Sequence, residues 1–127
     1  MEPVLTSFDY AAIRVVPRVE REEFLNAGVI VFCRTRRFLA ARVALDPARL
    51  AAFAPALDAE EVARYLALIP RICAGDPAAG WTNGLSLAER FHWLVAPKST
   101  IIQVAPVHSG LCDDPAAVLD GLTRRLT

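Results

Sequence analysis

The chain has 127 residues and 13.8 kDa, with 14 basic and 14 acidic side chains and a pI near 6.7; 54% of it is apolar, Ala alone supplying 22 residues. That length suits a single domain over residues 1–127 with one compact core, and abundant Leu, Val, Ile and Phe at zero net charge exclude disorder. Zero net charge also removes any global attraction to nucleic acid or to an anionic membrane, so only a local patch can serve such a partner.

Phe8 to Val16 alternates, with Ile13 and Val15 on one face and Tyr10, Ala12, Arg14 and Val16 on the other, and reads as a first strand ended by Pro17. The charged segment Pro17 to Phe24 is a solvated excursion with room for one helical turn. Asn26 to Cys33 is apolar and β-branched, as a strand buried on both faces requires. Arg34-Thr35-Arg36 allows a reversal, and Phe38 to Leu45 alternates again, so a third strand returns antiparallel.

The period then changes from 2 to 3.6. Asp46-Pro47 caps a short helix carrying Leu50, Phe53 and Leu57. Asp58-Ala59-Glu60-Glu61 opens a longer one, whose stripe of Val62, Tyr65, Leu66, Ile69, Ile72 and Cys73 predicts a buried face; Pro70 predicts a kink or a stop near Ile69. Residues 75–84 read as a loop. Ser86-Leu87-Ala88-Glu89 is a capping box for a helix that buries Leu87, Phe91, Leu94 and Val95, shows Arg90, His92 and Trp93 on its other face, and stops at Pro97. Ile101 to Val104 is a fourth strand ended by Pro106. Past His108-Ser109-Gly110, Asp114-Pro115 starts a terminal helix striped by Val118, Leu119, Leu122 and Leu126. The expectation is an α+β fold, an antiparallel three-stranded meander plus a fourth strand, with helices packed on one face of the sheet.

The N-terminus carries Glu2 and Asp9 and lacks the basic start and apolar run of a secretory signal, and the longest apolar stretch, Phe24 to Cys33, falls short of the roughly 18 residues a membrane span needs. A cytoplasmic protein without a membrane partner is expected. Three cysteines, Cys33, Cys73 and Cys112, far apart and odd in number, read as reduced thiols rather than as a disulfide or zinc framework.

Phosphate-loop, dinucleotide-binding and nucleophile-elbow motifs are absent, so no cofactor is expected. His108, Cys112 and Asp113 offer metal-ligand atoms in one short segment, but Asp114 is explained as a helix cap and a fourth ligand such as His92 would have to come from afar, so no metal is assigned. A nucleophilic pair of Cys112 with a histidine is disfavoured by the two neighbouring carboxylates, which raise a thiol pKa, and no catalytic residue is assigned. Polar groups concentrate instead between Arg90 and His108. Lys98, Ser99 and Thr100 offer a cation, hydroxyls and backbone amides at a helix end, a composition that suits an anion such as a phosphate; Arg90, Trp93, Gln103 and His108 can join it. The plainer reading has Ser99 and Thr100 satisfying the helix end, Lys98 complementing the helix dipole and Trp93 in the core. A second patch, Arg34, Arg36, Arg37, Arg42 and Arg49 against Asp46, reads either as a docking face or, in preference, as a charged edge that discourages strand pairing.

Three stretches carry a resemblance: Tyr10 to Pro17; Glu23-Phe24-Leu25-Asn26-Ala27-Gly28-Val29-Ile30; and Arg90-Phe91-His92-Trp93-Leu94 with Ala96 to Gln103 and Pro106-Val107-His108. Over nearly its whole length the chain resembles a bacterial family of domains of unknown function, number 3037. Lys98 stands where Arg is equally expected, which keeps the charge and loses bidentate anion recognition. The resemblance implies a gene setting beside a HipA-like kinase-fold protein, hence an accessory or regulatory binding partner of a kinase-like protein, without catalysis of its own. Two alternatives stand beside it: a small enzyme that holds a phosphate-bearing substrate with Arg90 and Lys98 and uses His108 as acid or base, and a nucleic-acid-binding module built on the Arg-rich patch, the less favoured of the two given the neutral charge.

Overall fold

The computed structural model describes residues 4–98 and 100–127, so Ser99 lies outside the described residues. Five strands and four helices follow in the order β1 (Thr6–Val15), β2 (Leu25–Cys33), β3 (Phe38–Val43), α1 (Pro47–Phe53), α2 (Ala59–Cys73), α3 (Leu87–Val95), β4 (Ile102–Val104), β5 (His108–Cys112) and α4 (Pro115–Leu126), with short 3-10 turns at 19–21, 77–79 and 81–84. Antiparallel pairing gives the order β3-β2-β1-β4, and β5 lies against the same side of β1 as β4. The α+β class and the meander with its fourth strand are as the sequence patterns predict.

The fifth strand is not. Residues 108–112 carry no apolar alternation, yet they pair with β1 from Tyr10↔His108 to Thr6↔Cys112, in line with β4, which pairs with β1 from Ile13 to Val15. The two are one strand interrupted near Pro106, whose ring removes a ladder donor. Cys112 is therefore a buried strand residue.

Two cores lie on opposite faces of the sheet. On the first, α1, α2 and α3 cover Ile13, Val15, Leu25, Ala27, Ile30, Phe32 and Leu39 with Leu50, Val62, Leu66, Ile69, Phe91 and Leu94. Phe91 stacks on Phe32 with ring centroids 5.0 Å apart. On the second, Leu119 and Leu122 of α4 cover Phe8, Val29, Val31 and Cys33. The expectation of helices on one face thus holds for the first three and is corrected for α4. The alternating pattern of β3 permits either side, and β2, buried on both faces, supplies apolar residues to each.

A bulge makes that double use of β2 work. Ile13 pairs with Gly28 but Arg14 pairs with Asn26, which leaves Ala27 unpaired and shifts the side-chain phase by one. Leu25 and Ala27 therefore share the first face with Ile30 and Phe32.

Caps define the helices as the sequence implies. Asp46, Asp58 and Asp114 each accept hydrogen bonds from two backbone N–H groups of the following turn, and Ser86 with Glu89 forms a reciprocal capping box. Pro70 does not end its helix: α2 runs on to Cys73, because a proline in the last turn costs one backbone bond while Ile72 and Cys73 gain burial beyond it. Gly75, at φ +72°, then turns the chain out of the helix. Among the described residues no helix is long and apolar enough to cross a membrane.

Candidate functional site

An apolar groove of about 530 Å³ lies between α2, α3 and β4, within the size range of ligand sites. One wall is α2, where Glu61, Tyr65, Leu68 and Ile72 recur at i, i+4, i+7 and i+11. This row runs beside the buried stripe Val62, Leu66, Ile69 and Cys73, so the helix carries an apolar surface wider than its core contact needs. The other wall holds Trp93 and Leu94 of α3, Lys98, Thr100, Ile101, and Ile102 and Val104 of β4. Tyr65, Leu68, Trp93 and Ile101 are 37–50% exposed, an unusual concentration of large apolar side chains in water. Trp81 meets Trp93 edge to face at 6.1 Å and continues the aromatic surface outward.

Polar groups in the groove are already engaged. The Tyr65 hydroxyl donates to Glu61 Oε1 at 3.0 Å, and that carboxylate raises the pKa of the phenol. Lys98 Nζ donates to the carbonyls of Trp93 at 2.9 Å, Leu94 at 3.2 Å and Ala96 at 3.3 Å, and lies 4.9 Å from the Trp93 ring centroid. All three ammonium protons thus close the C-terminal end of α3, and partial burial lowers the lysine's pKa. Thr100 donates to Ile102 O, and Gln103 Nε2 donates to Thr100 O, so both order the entry to β4.

The residues singled out in the sequence fall into separate places. Trp93, Lys98 and Thr100 share the groove. Arg90 does not: its guanidinium donates to Leu85 O at 3.0 Å and Cys73 O at 3.4 Å and packs over Gly75, tying α3 to the end of α2. Gln103 stands opposite Arg14 and lines a different depression, with Phe24. His108 lies exposed on β5 against the Tyr10 ring, centroids 5.5 Å apart. The sequence pattern assigns Tyr65 to the core and Ile101 to the fourth strand, whereas the structure leaves Tyr65 half exposed and begins β4 at Ile102; Leu68 and Trp81 are not singled out by it, and the second apolar row on α2 is the signal for Leu68.

Within the Arg-rich segment, three side chains are held inside the chain. Arg36 donates to Thr6 Oγ1 at 2.9 Å and Val4 O at 2.6 Å, Arg42 pairs with Asp120 of α4, and Arg49 donates to Thr127 O at 3.0 Å. Arg34 and Arg37 stay exposed at the β2–β3 turn, where Arg37 takes a left-handed φ of +51°. All three cysteines are buried; burial pushes the Cys73 thiol up to about 12 and also raises that of Cys112.

Comparison with curated proteins and with solved structures returns no match. The family described as protein of unknown function DUF3037 matches residues 10–127, which include both walls of the groove, β1 from Tyr10 onward, its bulged neighbour β2 and α4, and the chain belongs to that family.

Proposed function

We propose that this protein is a non-catalytic binding module whose groove between α2, α3 and β4 seats an apolar segment of a partner protein, the kinase-fold protein implied by the family resemblance being the partner to test. The observation that carries this reading is the set Tyr65, Leu68, Trp93 and Ile101, large apolar side chains left in water around one concavity. Aromatic anchors beside an apolar pocket, with Glu61 and Lys98 as the polar members, have the make-up of a contact centre and its rim. An anion has less to hold it here, since the Lys98 ammonium spends its donors on α3 and Arg90 and His108 stand elsewhere.

The two tryptophans of the chain, Trp81 and Trp93, touch each other beside the groove, so intrinsic fluorescence reports on its occupancy. Titration with the kinase-fold partner should give a saturable fluorescence change at micromolar concentration, weakened at least tenfold by Leu68→Glu, an exposed position, with the fold of the variant checked by circular dichroism. Two proteins that stay unassociated at micromolar concentration, or a Leu68→Glu variant that binds as well as the parent, would refute the proposal. A steep salt dependence with binding to DNA or RNA would favour the Arg-rich segment instead.

A further inference from the structure

Three polar side chains line up across the strands of the sheet. Asn26 of β2, Arg14 of β1 and Gln103 of β4 stand opposite one another in register. The β2 bulge creates this row: without it Ala27, not Asn26, would face Arg14. Bulges are frequent where a sheet must re-aim a side chain toward a site.

The Arg14 guanidinium lies 3.7 Å from the centroid of the Phe24 ring. Stacking of that kind covers one face of the cation and leaves its N–H edges for an acceptor. No such acceptor comes from the described residues. Arg14 takes part in none of the ion pairs among the described residues, and Arg14 Nε and Asn26 Oδ1 are buried without a hydrogen-bond partner among them. A partly buried cation left unpaired is costly, and an occupant of the depression lined by Arg14 offsets that cost by offering an acceptor.

The surroundings narrow the occupant. Arg14, Phe24 and Gln103 line a depression of about 300 Å³ together with Glu22 and Glu23. Glu23 is paired with Arg21, but Glu22 is not paired among the described residues, so a dianion such as phosphate meets repulsion beside the guanidinium. A planar monoanion fits the guanidinium edge. Gln103 Nε2 is committed to Thr100 O at 2.9 Å, which leaves its Oε1 to accept from a donor on the same ligand.

We propose that the Arg14–Phe24–Gln103 depression is a binding site, separate from the groove, for a carboxylate that carries a neighbouring N–H or O–H group, supplied by a small free acid or by the end of a peptide. The probes are lactate for the first source, a short peptide with a free C-terminal carboxylate for the second, and inorganic phosphate at equal ionic strength for comparison. The readout is the Arg14 Nε–H resonance by NMR of the full chain. A saturable shift with lactate assigns a small acid, and a shift with the peptide alone assigns a peptide end; in either case Arg14→Gln should weaken binding at least tenfold and Gln103→Ala severalfold. Where Arg14→Gln does not fold, Phe24→Leu, at an exposed ring, and Gln103→Ala carry the test. The proposal is overturned by the absence of a saturable shift with either carboxylate, by phosphate binding as tightly, or by unchanged affinity in the variants that fold. Groove variants such as Leu68→Glu leave this site untouched, so the two proposals fail independently.

Discussion

Two glycines of this chain should respond to the same substitution with opposite sign. Gly28 sits in β2 between two partners, Ile13 on β1 and Val43 on β3. A methyl group added there collides with the backbone carbonyl oxygen of Arg42 and lies 3.0 Å from Ile13 Cδ1 and 3.2 Å from Val43 Cα. Two of these three contacts are backbone atoms in a hydrogen-bonded ladder, so relief requires the strands to part. Overpacking of this kind costs about 1–3 kcal/mol, and the smaller unfolded-state entropy of Ala returns at most about 1 kcal/mol. For Gly28→Ala we expect a net loss of roughly 1–2 kcal/mol, a fall of about 3–8 °C in Tm for a domain of this size. Gly121 in α4 has nothing within 4 Å of an added Cβ, so Gly121→Ala should gain roughly 0.5–1 kcal/mol from helix propensity. Urea denaturation followed by far-UV circular dichroism measures both, provided the slope stays constant. A Gly28→Ala variant within about 0.5 kcal/mol of the parent, less than the overpacking range, would refute the steric argument, as would two variants moving in the same direction.

Arg90 is assigned a structural role, so Arg90→Met should leave the Cys73 and Leu85 carbonyls short of a donor and cost about 1–3 kcal/mol in thermal denaturation; unchanged stability, or loss of groove binding in a variant that stays folded, would contradict that role. The Cys73 thiol should not react with a thiol reagent at pH 8 until the protein unfolds, and it links stability to alkaline pH. An unfolded thiol gives up its proton near pH 9 while the folded one holds it to about 12, so between those values the unfolded state binds fewer protons and stability falls as pH rises. Cys73→Ala should flatten that fall, and equal slopes in the two proteins would show that the thiol is not its source.

Much of the fold is legible in the chain because it depends on local chemistry. The alternation of Phe38 to Val43, the aspartate caps at positions 46, 58 and 114, and the Ser86–Glu89 box each act within a few residues of where they are written. By the same logic Lys98 at the end of a helix was readable as a partner for the last carbonyls, which it is. The candidate site was less legible. Arg90, Lys98 and His108 are close in sequence, but the end of α3 and the strand β4 lie between them and carry them to different surfaces, and proximity along the chain does not state which way a side chain turns at the end of an element.

What the sequence by itself determined is therefore the four helices with their caps, four of the five strands and the antiparallel class, all consequences of short-range periodicity and hydrogen bonding. Only the tertiary structure decided which face each helix covers, since an apolar stripe on α4 fits either side of a sheet whose central strand is apolar throughout. Pairing alone turned His108 to Cys112 into a strand, because its stability comes from β1 and not from its own residues. The one-residue bulge at Ala27 set Asn26 beside Arg14, and packing left Tyr65 and Leu68 uncovered; both outcomes depend on distant partners that no local pattern encodes.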